Sequence, residues 1–179
     1  MSGDNIIVLK LVLLGDPAVG KTSLIDMYTQ HRFKEDYKPT LGVNIVLKEI
    51  DEIDAQIRLI IWDIAGQEKY VVSRKMFFHG VVGALFVYDV TREETFRNVE
   101  SKWLKDANEY GEQDLSHVLI GNKIDLESSR IVSTEMGKEL AEKINASDYV
   151  ETSAKYGDNV EEAFKKLVSK VLENLRVEY

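Results

Sequence analysis

Cysteine is absent from the 179 residues, which excludes disulfides, thiolate metal sites, thiol catalysis and cysteine lipidation. Proline is scarce, at Pro17 and Pro39 alone, and no low-complexity run or repeat marks a linker. Histidine occurs only as His31, His79 and His117, scattered without metal-ligand spacing, and these are expected on the surface. The longest apolar run, Ile6 to Leu14, is broken by Lys10 and too short to cross a bilayer. Met1 to Asn5 lacks the basic start of a signal peptide, so a soluble, cytoplasmic chain is expected. Positive charge is in the minority: Lys plus Arg is 23 against 31 for Asp plus Glu, a net charge of −8. That balance argues against nonspecific nucleic-acid or membrane-surface binding, though not against a local basic pocket for a phosphate.

What is present is ordinary for a folded domain. Apolar residues make up 44% and charged residues 30%, which excludes disorder. The length fits one domain, 1–179, able to bury about 70% of the surface its unfolded chain exposes. Ile6 to Leu14 is nearly all apolar and ends at Gly15, the pattern of a strand buried on both faces. Similar runs recur at Arg58 to Trp62, Ala84 to Tyr88 and Val118 to Ile120, with a shorter one around Tyr149-Val150. Helical stripes lie between them: Phe96, Val99, Trp103 and Ala107; Met136, Leu140, Ala141 and Ile144; and a long one from Val160 to Leu175. Thr91 with Glu94, and Asn159 with Glu162, have capping-box spacing. Alternation between Val43 and Ile53 and between Ala55 and Trp62 predicts a hairpin turning near Glu52-Ile53-Asp54. Strands alternating with helices predict a doubly wound α/β sheet, with ligands outside the carboxyl ends of the strands.

The strand-end loops carry the chemistry. Gly15-Asp16-Pro17-Ala18-Val19-Gly20-Lys21-Thr22 follows a buried strand, precedes a helical segment and fits G-x-x-x-x-G-K-[ST]. In such a loop backbone N–H groups and a helix N-terminus cradle phosphate oxygens, Lys21 reaches the β- and γ-phosphates, and the Thr22 hydroxyl ligates Mg²⁺. Pro17 has no N–H to offer, and Pro17 and Ala18 add bulk where a γ-phosphate and attacking water would lie. In Trp62-Asp63-Ile64-Ala65-Gly66-Gln67-Glu68, Asp63 can hold Mg²⁺, the Gly66 N–H can approach a γ-phosphate, and Gln67 can orient water. In Asn122-Lys123-Ile124-Asp125 the Asp125 carboxylate can accept from guanine N1–H and the exocyclic amine, a pairing adenine cannot match. In Glu151-Thr152-Ser153-Ala154-Lys155 the Ala154 N–H can meet guanine O6. Thr40, in Tyr37-Lys38-Pro39-Thr40-Leu41-Gly42, can complete Mg²⁺ coordination from a mobile loop only when a γ-phosphate is present, which would make it a switch.

Taken together, these motifs resemble those of Ras-superfamily small GTPases over essentially the whole length, and within that superfamily the Rab branch is the most similar. Tyr37 to Val43, the Trp before Asp63, Val87-Tyr88-Asp89-Val90-Thr91, Trp103-Leu104 and Gly121 to Leu126 carry the resemblance to Rabs. The resemblance implies a P-loop NTPase small G domain, α/β, with a six-stranded mostly parallel sheet flanked by helices on both faces. It implies a switch cycling between GDP and GTP with Mg²⁺ and acting in membrane traffic or signalling. The nucleotide set it implies is Gly15, Ala18, Val19, Gly20, Lys21, Thr22, Ser23, Phe33, Thr40, Gly66, Asn122, Lys123, Asp125, Ser153, Ala154 and Lys155. Phe33 would pack on the base, Thr22, Thr40 and Asp63 would hold the metal, and Lys21 and Gln67 would be catalytic. Trp62 with Ile45 and Phe77 or Phe78 would lie near the effector face, Ile45 standing where Rabs usually carry Phe. Effector, exchange-factor and GTPase-activating proteins are the implied partners, with no nucleic acid, and a monomer is expected. Rabs end in a prenylated cysteine tail; this chain stops at Tyr179 without Cys, so no lipid anchor is expected in it.

No Arg lies in Tyr37 to Thr40 to act in cis, so turnover alone should be slow, on the order of 10⁻³ s⁻¹ or less. A GTP-binding scaffold that scarcely hydrolyses, because of Pro17 and Ala18, is an alternative. A P-loop ATPase or kinase is another, but it leaves Asn122 to Asp125 without a role.

Overall fold

Alternating apolar residues place Leu9, Leu11 and Leu13 of the first strand in one core and Val12 and Leu14 in another, on opposite faces of one sheet. The computed structural model describes residues 6–36, 38–52, 55–66 and 71–177. Its strands are β1 (Ile6–Leu14), β2 (Val43–Glu52), β3 (Ala55–Ile64), β4 (Val81–Asp89), β5 (Ser116–Asn122) and β6 (Asp148–Thr152). They form a six-stranded sheet in the order β2-β3-β1-β4-β5-β6. Only the β2–β3 pair is antiparallel. The expected hairpin turn at Ile53-Asp54 lies outside the described residues.

Helix α1 (Lys21–Gln30) and α6 (Val160–Val177) cover one face, where Tyr28 and Phe164 stack at 4.0 Å. Four helices cover the other: α2 (Val71–Phe78), α3 (Glu93–Asn98), α4 (Lys105–Tyr110) and α5 (Thr134–Lys143). A π-helical stretch, Val99–Leu104, joins α3 to α4, and its Val99 and Trp103 are fully buried. The sheet is therefore doubly wound, and because β1, β3, β4, β5 and β6 run parallel their carboxyl ends lie at one edge.

Two local expectations need correction. The Thr91–Glu94 capping box does not form: the Thr91 hydroxyl donates to Asp89 Oδ1 at 2.6 Å, and Arg92 in extended conformation is the N-cap of α3. His117 is not a surface residue. It lies half-buried on β5, edge-on to Phe86, with its ring nitrogens at the Leu115 and Ile144 carbonyls. His31 and His79 are exposed. Asn159, the other capping candidate, directly precedes α6, and its Nδ2 donates to the Glu151 carbonyl at 2.8 Å.

Candidate functional site

The carboxyl ends of the strands enclose a cleft of about 1010 Å³, lined by residues within 17–26, 33–36, 122–126 and 154–155, with Lys38, Thr40 and Gly66. Strand β1 delivers its first wall. The loop after Leu14 rises to Gly20, the N-cap of α1, at φ +103, a conformation that glycine takes without strain. A β-carbon there would also meet Asn122 Nδ2 at 2.3 Å. Ala18 stands at φ +63, which costs a non-glycine residue about 1–2 kcal/mol. Lys21, nearly fully buried, donates from Nζ to the Gly15 and Asp16 carbonyls at 2.8 and 3.0 Å. Ala18, Gly20, Lys21, Thr22 and Ser23 line the cleft; Gly15 and Val19 lie behind it.

The second wall comes from β3. Asp63 is fully buried at its end, and its Oδ2 accepts from the Thr22 hydroxyl. Thr40 Oγ1 lies 2.9 Å from Thr22 Oγ1 and 3.4 Å from Asp63 Oδ2. Burial pushes the Asp63 carboxyl up, against the opposing effect of Thr22, Lys21 and Thr40. Its Oδ1 is buried with no hydrogen-bond partner among the described residues. A buried carboxylate is normally fully paired. One carboxylate and two hydroxyls converging beside a phosphate loop, with a carboxylate lone pair left over, is a donor set that fits Mg²⁺, a hard cation that takes few protein ligands besides phosphate and water. Gly66 follows three residues later, and a β-carbon there would fall 2.5 Å from Pro17 N, so only glycine lets this backbone close on the phosphate loop. Gln67 and Tyr37 lie outside the described residues.

The third wall is the base side. Asn122, buried at the end of β5, donates from Nδ2 to the Val19 carbonyl at 2.9 Å. Its Oδ1 accepts from Thr152 Oγ1 at 3.0 Å and from the Ala154 N–H at 3.2 Å. The Ala154 N–H, expected at guanine O6, is thus turned to Asn122 here. Lys123, at φ +73, reaches the Ala18 carbonyl at 2.7 Å and Asp89 Oδ2 at 2.8 Å. Asp125 lines the cleft, and its Oδ1 accepts from the fully buried Ser153 hydroxyl at 2.7 Å, so Ser153 orients Asp125 from behind. Phe33 and Lys155 complete the rim. Beneath this wall Glu151 takes both Arg130 and the Tyr149 hydroxyl. Burial opposes its charge, but the hydrogen bonds from Arg130 and Tyr149 win and hold the carboxyl below its ordinary value.

Outside the cleft, Ile45 faces Trp62 across the β2–β3 ladder, and Phe77 lies 5.7 Å from the Trp62 ring. Phe78 points into the core and is fully buried, so Phe77 is the aromatic that joins Trp62. Sequence reasoning assigned no site role to Asp89, Arg92, Asn98 and Trp103, all of which contact the phosphate loop or its partners. Their signal was faint: Asp16 is a charged residue inside a phosphate-binding loop, where a negative side chain needs donors of its own.

A phosphate loop on β1, a buried acid on β3 and an Asn-Lys-x-Asp loop on β5 define a P-loop GTPase. The Ras family profile matches residues 10–173, and the chain belongs to that family. It is 43% identical to the Ras-related protein Rab-2B of Dictyostelium discoideum over 168 residues, covering 94% of this chain and 82% of that one. It is 41% identical to the Ras-related protein RABA6b of Arabidopsis thaliana over 168 residues, 94% and 72% of the two chains. With the Ras-related protein Rab11B of Nicotiana tabacum it shares 42% over 164 residues, 92% and 75%. The protein is a Rab-like GTPase switch: it binds GTP and GDP with Mg²⁺, hydrolyses GTP, and works through effectors, exchange factors and activating proteins. Among the described residues no helix is long and apolar enough to cross a membrane.

Proposed function

We propose that residues 1–179 form one G domain that acts in membrane traffic as a cytoplasmic monomer, reaching membranes through partners or a lipid tail. The Rab names of the relatives support the traffic assignment. The observation that carries the mechanism is the convergence of Thr22, Thr40 and Asp63 beside Lys21, three segments meeting at one point.

In this reading Lys21 compensates the charge of the β- and γ-phosphates, and the N–H groups of residues 18–22 surround their oxygens. Thr22, Thr40 and Asp63 would hold Mg²⁺, which when bound would supply charge compensation for the phosphate oxygens. Thr40 belongs to the site only while a γ-phosphate is present, so its loop reports the nucleotide state to effectors at Ile45, Trp62 and Phe77. Gln67 orients the attacking water, and Asp125, with Asn122, Lys123, Ser153, Ala154 and Lys155, selects guanine. A partner supplies the arginine that the switch loop lacks, so hydrolysis alone is slow.

Chromatography of the nucleotide carried by purified protein, followed by single-turnover phosphate release with and without Mg²⁺, tests this. Guanine nucleotide and a Mg²⁺-dependent rate are expected. Adenine nucleotide, or release indifferent to Mg²⁺, would overturn the assignment of these residues.

A further inference from the structure

Each residue from Asp16 to Val19 is held from outside by a side chain of another element. The Asp16 carboxylate accepts from Trp103 Nε1 at 2.8 Å and Asn98 Nδ2 at 2.7 Å. The carbonyls of Pro17, Ala18 and Val19 accept from Arg92 Nη2 at 2.8 Å, Lys123 Nζ at 2.7 Å and Asn122 Nδ2 at 2.9 Å. Lys123 and Asn122 belong to the base-reading loop. Arg92 belongs to no nucleotide motif; it stands between β4 and α3, 75 residues from Pro17 in sequence.

The residue it steadies is the strained one. In a trans peptide the C=O and N–H point opposite ways, so a Pro17 carbonyl directed at Arg92 leaves the Ala18 N–H on the other side. Ala18 keeps that arrangement only at φ +63. Rotating the 17–18 peptide by half a turn would return Ala18 to the ordinary negative-φ region. It would also aim the Pro17 carbonyl, a negative dipole end, at bound phosphate. The proline ring fixes its own φ but leaves the following peptide free to rotate. Arg92 opposes that rotation and is itself anchored: its Nε lies 3.3 Å from Asp89 Oδ2, an oxygen shared with Lys123. Asp89 is almost fully buried, and its other oxygen takes the Thr91 N–H and hydroxyl.

We propose that Arg92 is a positioning residue for nucleotide binding: it locks the Pro17–Ala18 peptide with the Ala18 N–H toward the phosphates and so compensates for alanine in a left-handed loop position. This rests on the reading of that loop as the phosphate cradle. The test is a double-mutant cycle between Arg92→Ala and Ala18→Gly. Its readout is the dissociation rate of guanosine diphosphate labelled on the ribose, measured by competition in excess Mg²⁺. Arg92→Ala should speed dissociation by about five- to tenfold, the loss of one charge-assisted hydrogen bond. In the Ala18→Gly background, where φ +63 carries no strain, the same change should alter the rate by less than about twofold. Arg92→Lys keeps the charge but cannot bridge Pro17 and Asp89 as a planar fork does, so it should fall between, and it serves in the cycle if the alanine variant folds poorly. Equal factors in both backgrounds, as a general loss of stability gives, or no change on removing Arg92, would overturn the proposal. Lys21→Ala run alongside separates the two readings: if it keeps its nucleotide the cradle itself is misassigned, whereas an additive cycle beside a nucleotide-free Lys21→Ala condemns Arg92 alone.

Discussion

Asn122 Nδ2 donates to the Val19 carbonyl at 2.9 Å across 103 residues of sequence, so the side chain that opens the base-reading loop also fixes the phosphate loop. Its Oδ1 takes Thr152 and Ala154, which brings a third strand end to the same amide. In the proposed function the base and phosphate sites therefore share one buried side chain.

Asn122→Ala should consequently weaken GDP and GTP alike. It leaves the Val19 carbonyl, the Thr152 hydroxyl and the Ala154 N–H without a partner, each costing about 1–3 kcal/mol where water cannot reach. The affinities should fall by at least about tenfold for both nucleotides. Calorimetric titration of each decides it, and a loss confined to GTP would show that the amide does not join the two sites.

Thr40→Ala should separate the nucleotides instead. Thr40 comes from the loop before β2 and meets Thr22 at 2.9 Å, and in the proposed function its hydroxyl would serve a metal shared with a γ-phosphate. GTP affinity in Mg²⁺ should fall by about three- to tenfold, the value of one hydrogen-bonding ligand, with GDP affinity nearly unchanged. The difference should vanish in EDTA. Equal losses for both nucleotides would place Thr40 outside the metal site.

The strands and the three strand-end loops were legible because each obeys a local rule: apolar runs with period two or buried on both faces, then glycines and charged residues at fixed spacing. What escaped depends on contacts remote in sequence. Trp103 counted as one apolar residue in a helical stripe, yet its ring N–H is spent on Asp16, 87 residues away. The π-helical turn that presents it leaves no mark in the hydrophobic spacing. Thr91 carried a capping signal, but the buried Asp89 carboxylate competed for its hydroxyl and the helix began one residue later. Trp62, Ile45 and Phe77 were foreseen together, while telling Phe77 from Phe78 needed the direction of α2.

Acid should act on the base side through Glu151. Its carboxyl is held below the ordinary value of 4.5, so the stability it contributes is fully present above that value and is lost as pH falls through the lower folded one. Glu151→Gln should cost about 1–3 kcal/mol near neutrality, since Arg130 and the Tyr149 hydroxyl lose a charged acceptor. Urea unfolding of both proteins at pH 7 and below pH 4 measures the gap. It should narrow in acid, and a gap independent of pH would mean that the ion pair is not what Glu151 contributes.

Pro17→Gly probes the crowding expected from the proline ring at the place where Gly66 packs closely on the phosphate-loop backbone. The substitution removes the ring and frees room for a partner's side chain and the attacking water. The partner-stimulated rate of phosphate release should rise, while nucleotide dissociation quickens because the loop is less restrained. A stimulated rate that stays level or falls would show that Pro17 does not crowd the reaction.

Guanine selection should reverse with one atom. Asp125 lines the cleft, and Ser153 holds one of its oxygens at 2.7 Å. A carboxylate offers two acceptors, matching guanine N1–H and the 2-amino group. Asp125→Asn offers one acceptor and one donor, and the donor then opposes the amino group. Xanthine keeps N1–H but carries a carbonyl oxygen in place of that amine, so the amide fits it on both sides. Ser153 tolerates either amide orientation, because a hydroxyl can donate to oxygen or accept from nitrogen. Each restored hydrogen bond contributes about 1 kcal/mol, and each buried mismatch costs about 1–3 kcal/mol. The variant should therefore bind XTP at least about tenfold more tightly than GTP, the reverse of the parent. Dissociation constants for both nucleotides, measured on both proteins, settle it. A variant that still prefers GTP would show that Asp125 does not read the base, and the role given to Ser153 would fall with it.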